Sequence, residues 1–451
     1  IGALNTTNGD LALLATGALS TAGAVDVKGA LVADAQRISM GSGSSWQGTG
    51  KATLTAIEGL SLQALGFGGD LDVDSSTGNA VFAGPVSAQA IDVLTATGIE
   101  AQSTVTGRSL LLNGGAGDLV AGSAARLTST TGSIALSGSG IALDAQSQIS
   151  SAGDLDIVSR TGDVVLGRAT AGGRVTVNSA GSLLLNRAVA STDDLDLRAV
   201  GAISVADGAL VASAAKADVH GASMSMGAGS RLDSAGQMHI STTGDMQLAA
   251  LQTDWDGTDA VRLISGGNIV GRTDTPVHLR ATGANAQGSI SAVTGIGDPL
   301  VIDMPWLSAE TLNGDINIVA EQGLYSPFLR ARNGNVTLRV DGSLTFGELI
   351  GNPYLWVDGA LDGDLIVMQQ GKLASSQGLN VRQIELNGGG PLVLEAPTID
   401  VGVDSKGAAD TFITLSGFEG GIADRINVQV VNTGKLNVAG YRSSTGSLSV
   451  D

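Results

Sequence analysis

The sequence predicts an all-β protein, a single right-handed parallel β-helix with about 20 residues in each coil. The first observation is a short unit that recurs along the chain: a glycine, a small or acidic residue, an apolar residue, any residue and a second apolar residue. The second observation is the spacing of its six clearest copies, which begin at Gly153, Gly162, Gly173, Gly181, Asp193 and Gly201. Every second copy lies 19 or 20 residues further on. A fixed period of this size, built from short strands, is the signature of a solenoid.

Each unit is expected to form a strand with one buried face. Side chains alternate between the two faces of a strand, so the third and fifth residues of a unit point the same way. All twelve of these residues are aliphatic: Leu155, Ile157, Val164, Leu166, Val175, Val177, Leu183, Leu185, Leu195, Leu197, Ile203 and Val205. The residues between them are mostly polar, with Val165 and Leu184 as exceptions. Stacking one coil on the next would bury the apolar face and pair the strands in parallel.

The glycines are expected to form the corners between strands. Glycine adopts backbone angles that are costly for other residues, and a tight corner repeated in every coil calls for such angles. Asp193 takes the place of glycine at one corner, and aspartate tolerates left-handed backbone better than most residues.

The same unit extends over nearly the whole chain. Further copies begin at Gly9, Gly23, Gly69, Gly132, Gly244, Gly314, Gly334 and Gly363. The 451 residues therefore predict roughly 22 coils and a rod on the order of 100 Å long.

Composition limits the possible partners and the cellular compartment. The formal net charge is −19, which argues against a nucleic-acid partner. Cysteine is absent, which favours an exported bacterial protein. There is no run of 18 apolar residues and no signal peptide, so we expect no transmembrane helix and interpret the chain as a mature or excised piece of something longer.

The chain changes character near residue 250. Residues 1–250 are rich in small side chains and hold three of the 13 aromatic residues, whereas residues 251–451 hold the other ten and seven of the eight prolines. We interpret 1–250 as a regular β-helix stalk and 251–451 as its continuation with longer loops and inserts, such as 295–306 and 324–328.

Any recognition is expected in the second of these regions, because binding needs varied loops and rigid amphipathic side chains. The candidate ligand face consists of Trp306, Tyr325, Tyr354 and Trp356. The alternative is that these side chains fill or cover a wider core.

The repeats resemble those of filamentous haemagglutinin-type exoproteins, the large adhesins that Gram-negative bacteria export by two-partner secretion. The resemblance rests on segments such as Gly132-Ser-Ile-Ala-Leu, Thr161-Gly-Asp-Val-Val-Leu and Gly266-Gly-Asn-Ile-Val. The family's secretion domain carries an Asn-Pro-Asn motif, but the only Asn-Pro here, at Asn352, is followed by Tyr354. The resemblance implies an adhesin segment, secreted or on the cell surface, and we expect the β-helix to be monomeric in solution. Its implied partners are an outer-membrane transporter during export and carbohydrate or protein receptors or biofilm matrix afterwards.

Two other functions remain open: a polysaccharide-degrading β-helix enzyme, and the stalk of a contact-dependent toxin exoprotein. An enzyme of the first kind needs clustered carboxylates with a partner base or cation. Asp193-Asp194 is an isolated acidic pair at a repeat corner, and the alternating Asp70, Asp72 and Asp74 lack the remainder of a calcium loop. The three histidines are isolated from one another along the chain. We therefore predict no catalytic residue, no metal site and no cofactor.

Segment 160–163, Arg-Thr-Gly-Asp, resembles an Arg-Gly-Asp tripeptide with one residue inserted. A corner between two strands accounts for it fully.

Overall fold

A computed structural model describes residues 1–407 and 410–450 of the chain. Strands make up 63% of the structure and helix 1%, and the strands form a parallel β-solenoid with about 20 residues per turn. The predicted fold class is therefore confirmed. The chain divides into two compact units, Ile1–Asp233 and Ser234–Asp451, and each is described by itself.

The first unit has three strands in each turn, and each strand pairs in parallel with the third strand along the chain. In one such ladder Leu155 pairs with Val175, which pairs with Leu195. The three ladders form three faces, which we call face 1 (containing β23), face 2 (containing β24) and face 3 (containing β25). The strands described in this unit are β1 Leu4–Asn5, β2 Leu11–Leu14, β3 Ala18–Thr21, β4 Ala24–Val27, β5 Leu31–Ala35, β6 Arg37–Met40, β7 Ser45–Gly48, β8 Ala52–Ala56, β9 Gly59–Leu62, β10 Ala64–Phe67, β11 Leu71–Ser75, β12 Asn79–Phe82, β13 Val86–Ser87, β14 Ala90–Thr95, β15 Ile99–Ala101, β16 Thr104–Gly107, β17 Ser109–Asn113, β18 Leu119–Ala121, β19 Arg126–Ser129, β20 Ile134–Gly138, β21 Ile141–Leu143, β22 Gln148–Ser151, β23 Leu155–Ser159, β24 Val164–Leu166, β25 Arg168–Ala171, β26 Val175–Ser179, β27 Leu183–Leu185, β28 Val189–Ser191, β29 Leu195–Ala199, β30 Ala202–Val205, β31 Leu210–Ser213, β32 Ala217–Gly221, β33 Ser223–Met226 and β34 Arg231–Ser234.

The second unit has longer strands, several of which continue around a corner. The longest, Leu324–Val340, pairs with one neighbouring strand over both of its halves, with a register shift between Arg330 and Asn335. The segments 295–306 and 324–328, which the sequence led us to regard as inserts, lie in strands except for residues 304 and 305. The elements described are β35 Met238–Thr242, β36 Met246–Leu248, β37 Ala250–Thr253, β38 Val261–Ser265, β39 Asn268–Gly271, β40 Leu279–Ala281, β41 Gln287–Ala292, β42 Gly295–Asp303, β43 Trp306–Thr311, β44 Ile316–Ala320, β45 Leu324–Val340, β46 Leu344–Val357, β47 Ala360–Met368, β48 Gly371–Ser375, β49 Gly378–Leu386, β50 Pro391–Glu395, β51 Thr398–Asp404, β52 Asp410–Ser416, the single-turn 3-10 helix η1 Phe418–Gly420, β53 Ala423–Val431, β54 Lys435–Ala439 and β55 Ser443–Val450.

The predicted core positions are confirmed. None of the twelve aliphatic side chains between Leu155 and Val205 is more than 3% exposed. Leu184, in contrast, points outward and is half-buried, and it pairs with Val165 and Ser204 on the adjacent strands. The strand register inferred from the repeat is therefore correct on face 2.

A third inward position, which the repeat unit did not include, carries a buried hydroxyl. In β23 the inward residues are Leu155, Ile157 and then Ser159, whose hydroxyl donates to the carbonyl oxygen of Gly162 at 2.7 Å. Ser179, one turn later, donates to the carbonyl of Ser182 at 2.9 Å. These serines satisfy backbone carbonyls at the inner side of each corner, where a purely apolar core would leave them without a partner.

The role predicted for the corner glycines holds at Gly9, which has a φ of 91°, but is wrong for the repeat described above. Gly153, Gly173, Gly181 and Asp193 all have negative φ, so left-handed backbone does not select them. Glycine is needed because successive turns approach closely. A Cβ on Gly181 would lie 2.9 Å from the carbonyl carbon of Gly162 and would overlap a carboxylate oxygen of the preceding turn.

That carboxylate belongs to the second residue of the repeat unit, and it ties adjacent turns together. Asp154 accepts a hydrogen bond from the backbone N–H of Arg174 at 2.9 Å, and Asp163 accepts one from Ser182 at 2.7 Å. Similar bonds are made by the carboxylates of Asp10, Asp70, Asp118, Asp194, Asp207, Asp245 and Asp315. The Gly-Asp pair is thus a contact between turns, with glycine making room for the aspartate of the turn before.

Candidate ligand face

The aromatic side chains of the two units are placed differently. In the first unit Trp46, Phe67 and Phe82 are core residues, with exposures of 0%, 6% and 0%. In the second unit each predicted ligand-face residue is half-buried or exposed: Trp306, Tyr325, Tyr354 and Trp356. None of these four is covered, so filling of the core does not account for them.

Trp306 and Tyr325 form one pair of neighbouring rings. They occupy adjacent strands β43 and β45 and are paired in register. Their ring centroids are 4.3 Å apart, with the planes tilted by 52°. A small groove of about 140 Å³ runs beside Trp306, and its polar lining includes Asp259, Gln287 and Ser289. A tilted pair of aromatic rings beside polar groups can contact the apolar face of a ligand while the polar groups bond to its edge.

Tyr354 and Trp356 form a second pair, on a different ladder. They alternate along the outward side of β46, and Tyr354 is 45% exposed. The guanidinium of Arg339 lies over the ring of Trp356 at 4.9 Å, and the ring of Phe418 is 5.9 Å from it. Trp356 is therefore held in one orientation, while Tyr354 beside it faces solvent. On the following strand, Lys372 pairs with Tyr354 in register and forms an ion pair with Glu395 at 3.0 Å.

A larger groove of about 380 Å³ lies on the second unit and is lined by amides. Its polar lining consists of Arg332, Asn333, Asn352, Gln369 and Asn387. The carbonyl oxygen of the Asn352 side chain accepts the backbone N–H of Gln369 at 3.1 Å, and Arg332 pairs with Glu310 at 2.7 Å. Side-chain amides that donate and accept are suited to hydroxyl-rich ligands.

The acidic corner pair considered for catalysis has a structural role. Asp194 accepts the backbone N–H of Lys216 at 3.2 Å and lies 3.5 Å from Arg174, and the Asp193 carbonyl accepts from Ser191.

The Arg-Thr-Gly-Asp segment is also used within the fold. Arg160 donates to the carbonyl oxygen of Gly115 at 2.7 Å and to the Asn113 side chain at 3.0 Å, while Asp163 bonds to the next turn. Both charged groups of the segment are therefore engaged by the fold, as expected for a corner.

Within residues 1–407 and 410–450, no three His, Asp or Glu side chains are grouped as the ligands of a metal ion would be. Nor does this part of the chain contain a helix with the length and apolar character needed to cross a membrane.

Two residues of the candidate face were missed by sequence reasoning. Arg339 precedes Trp356 by 17 residues and pairs with it in register. Aligning the sequence of the second half turn by turn could therefore have identified Arg339 as a neighbour of Trp356. Phe418 lies in the only 3-10 turn of the described residues, after Gly417 and outside the strand pattern, and no repeat signal marks it.

The chain matches no protein-family model, no curated protein and no solved structure.

Proposed function

We propose that this chain is a segment of an extracellular bacterial adhesin or scaffold, of the filamentous haemagglutinin type, whose β-solenoid presents a surface for attachment to cells, matrix or carbohydrate. It binds and does not catalyse, it is monomeric, and it reaches the bacterial surface through an outer-membrane transporter. The observation that carries the proposal is the exposed Tyr354 beside the fixed ring of Trp356. Exposed rigid aromatic side chains favour binding surfaces, because holding them costs little entropy.

The solenoid supports this function physically. Outward rows of side chains repeat at the strand spacing of about 4.8 Å, so a surface can be extended turn by turn without a new core. The first unit buries its three aromatic residues, whereas the second carries aromatic rings and an amide-lined groove on its outside. Variation concentrated on the outside of a repetitive fold is what an attachment surface requires.

The test is retention of the 451-residue chain on immobilised neutral polysaccharides and on a layer of epithelial cells. Replacing Tyr354 and Trp356 together by alanine should reduce retention roughly tenfold on the surface that binds. Tyr354→Ala alone should also reduce retention. Because this variant leaves Trp356 in place, its loss of retention would not come from a packing defect at Trp356. The matched control is Tyr441→Ala, because Tyr441 is similarly exposed at 44%.

Two outcomes would contradict the proposal. The first is equal retention of the aromatic variants and the parent on every surface. The second is release of reducing ends or unsaturated sugars from any polysaccharide, because that would identify a degrading enzyme in place of an adhesin.

A further inference from the structure

A row of hydroxyl groups runs across four turns of face 3 in the first unit. Thr106, Thr128, Ser150 and Thr170 are paired in register on β16, β19, β22 and β25, and all four are half-buried on the outward side. Their spacing is that of adjacent strands, about 4.8 Å. Within the described part of the chain, the hydroxyls of Thr106, Thr128 and Ser150 have no protein partner. They are therefore available to a ligand.

A second row, two residues earlier on the same strands, adds positive charge. Thr104, Arg126, Gln148 and Arg168 are paired in register, so Arg126 and Arg168 stand two strands apart. Arg187 follows at the corner of the next turn, and both Arg168 and Arg187 are exposed. Neither forms an ion pair with any residue that the structure describes. Arg126 uses one nitrogen, Nη1, to donate to the carbonyls of Ser123 and Ala125, which fixes its position.

This arrangement is unusual in a chain with a net charge of −19. The outward positions of β16, β19, β22 and β25 carry hydroxyls, Gln148 and arginines, and no carboxylate. The flanking corner aspartates, Asp144 and Asp154, accept backbone N–H groups of Gln146 and Arg174. Salt screens charges beyond about 8 Å at physiological ionic strength, so the arginines and the two flanking aspartates, and not the more distant acids, set the field at this face.

We propose that this hydroxyl–arginine face binds a linear polysaccharide that carries carboxylates, laid along the direction in which the turns stack. Guanidinium groups pair with carboxylates through two parallel hydrogen bonds, and the row of hydroxyls bonds to sugar hydroxyls. A ladder that repeats one donor per strand suits a ligand that repeats one sugar at a similar advance. The four strands offer no aromatic ring on which bases could stack, which disfavours a single-stranded nucleic acid.

The proposal rests on the attachment function but uses a surface separate from the aromatic residues of the second unit. Binding of the whole chain to polygalacturonate and to alginate oligosaccharides is measured by calorimetry, with dextran as the uncharged comparison. We expect binding to at least one of the two polyuronates that weakens as salt is raised, and no binding to dextran that depends on Arg168 or Arg187.

The decisive variants are Arg168→Gln with Arg187→Gln, and Thr128→Val with Ser150→Val. Each double change should weaken polyuronate binding roughly tenfold. Arg198→Gln is the matched control, because Arg198 lies on face 1 and pairs with Asp196 at 2.9 Å. Circular dichroism of each variant should match the parent.

Three results would overturn the inference. They are no binding to either polyuronate, an equal loss of polyuronate affinity in the Arg198 control and the arginine variant, or binding of single-stranded DNA through the same arginines that is as tight as polyuronate binding. The Tyr354→Ala variant separates this inference from the proposed function. It should keep full polyuronate affinity, so either of the two proposals can be refuted without refuting the other.

Discussion

The carboxylate of Asp163 accepts a hydrogen bond at 2.7 Å from the backbone N–H of Ser182, one turn further along the chain. The same carboxylate lies over the Cα of Gly181, in the space that a side chain would take. The two residues of the Gly-Asp unit therefore act on neighbouring turns, and the predictions below separate their contributions.

Replacing Asp163 by alanine should destabilise the local corner by about 1–2 kcal/mol, because the Ser182 N–H loses a charged acceptor. Repeat proteins open region by region, so the suitable measurement is hydrogen exchange of the Ser182 amide. Asp156→Ala is the control, since Asp156 is exposed on the outward side of β23, and it should change stability by less than about 0.5 kcal/mol. Unchanged exchange at Ser182 in the Asp163 variant would show that the bond contributes nothing.

Gly181→Ala should be more damaging than Asp163→Ala, at about 2–3 kcal/mol, because the added methyl group meets both the carboxylate and the backbone of Gly162. Combining it with Asp163→Ala should restore only part of the loss. Gly17→Ala provides the comparison, since nothing lies within 4 Å of its Cβ position. Thermal unfolding of these four variants checks the predicted order of stability, and equal midpoints for Gly17→Ala and Gly181→Ala would refute it.

Leu183→Asp should destabilise the first unit by on the order of 4 kcal/mol, because it buries an unpaired carboxylate at a position with 0% exposure. Leu184→Asp should be mild, since Leu184 faces outward. Urea titrations of the two variants make the comparison. Similar damage from both substitutions would mean that the strand register on face 2 is wrong.

Acid should loosen the corner around Asp404 in the second unit. Hydrogen bonds from the Asn432 side chain, and then from the backbone and ammonium of Lys406, lower the pKa of Asp404 to about 2. Because the folded-state pKa lies below the ordinary value, the stabilisation is present above about pH 4 and is lost as the pH falls towards 2. Carboxyl NMR of Asp404 and amide exchange of Lys406 between pH 5 and 2 measure this.

Asp404→Asn should remove most of that pH dependence at the Lys406 amide. An Asp404 carboxyl that titrated near pH 4 in the folded protein would contradict the assignment of these bonds.

The sequence was sufficient to predict the solenoid, its period and the twelve core positions from Leu155 to Val205, because burial imposes a strict alternation on each strand. It was not sufficient to explain why glycine occupies the corners between strands. Close approach between turns and left-handed backbone both select glycine, and a single chain does not distinguish them. The inward position of Ser159 was not predicted, because a serine that follows two aliphatic residues is typical of the end of a strand.

The candidate ligand face was predictable only in part. Exposure of Tyr354 could not be read from the sequence, since tyrosine in a repeat fits either side of a strand. The pairing of Trp306 with Tyr325 follows from a spacing of 19 residues and was within reach of the repeat. The position of Phe418 depends on a turn outside the repeat, and the pattern carries no information about it.

The hydrogen bonds from backbone N–H groups to aspartate carboxylates of the adjacent turn all run in one direction, which has a consequence for the order of folding. In each case the acceptor lies on the earlier turn and the donor on the later one, as with Asp154 and Arg174. If the chain folds from its N-terminus, each new turn forms against a turn that is already folded and already presents its aspartate carboxylate as an acceptor. The contacts needed lie only about 20 residues back, so assembly can advance one turn at a time without a long search for partners.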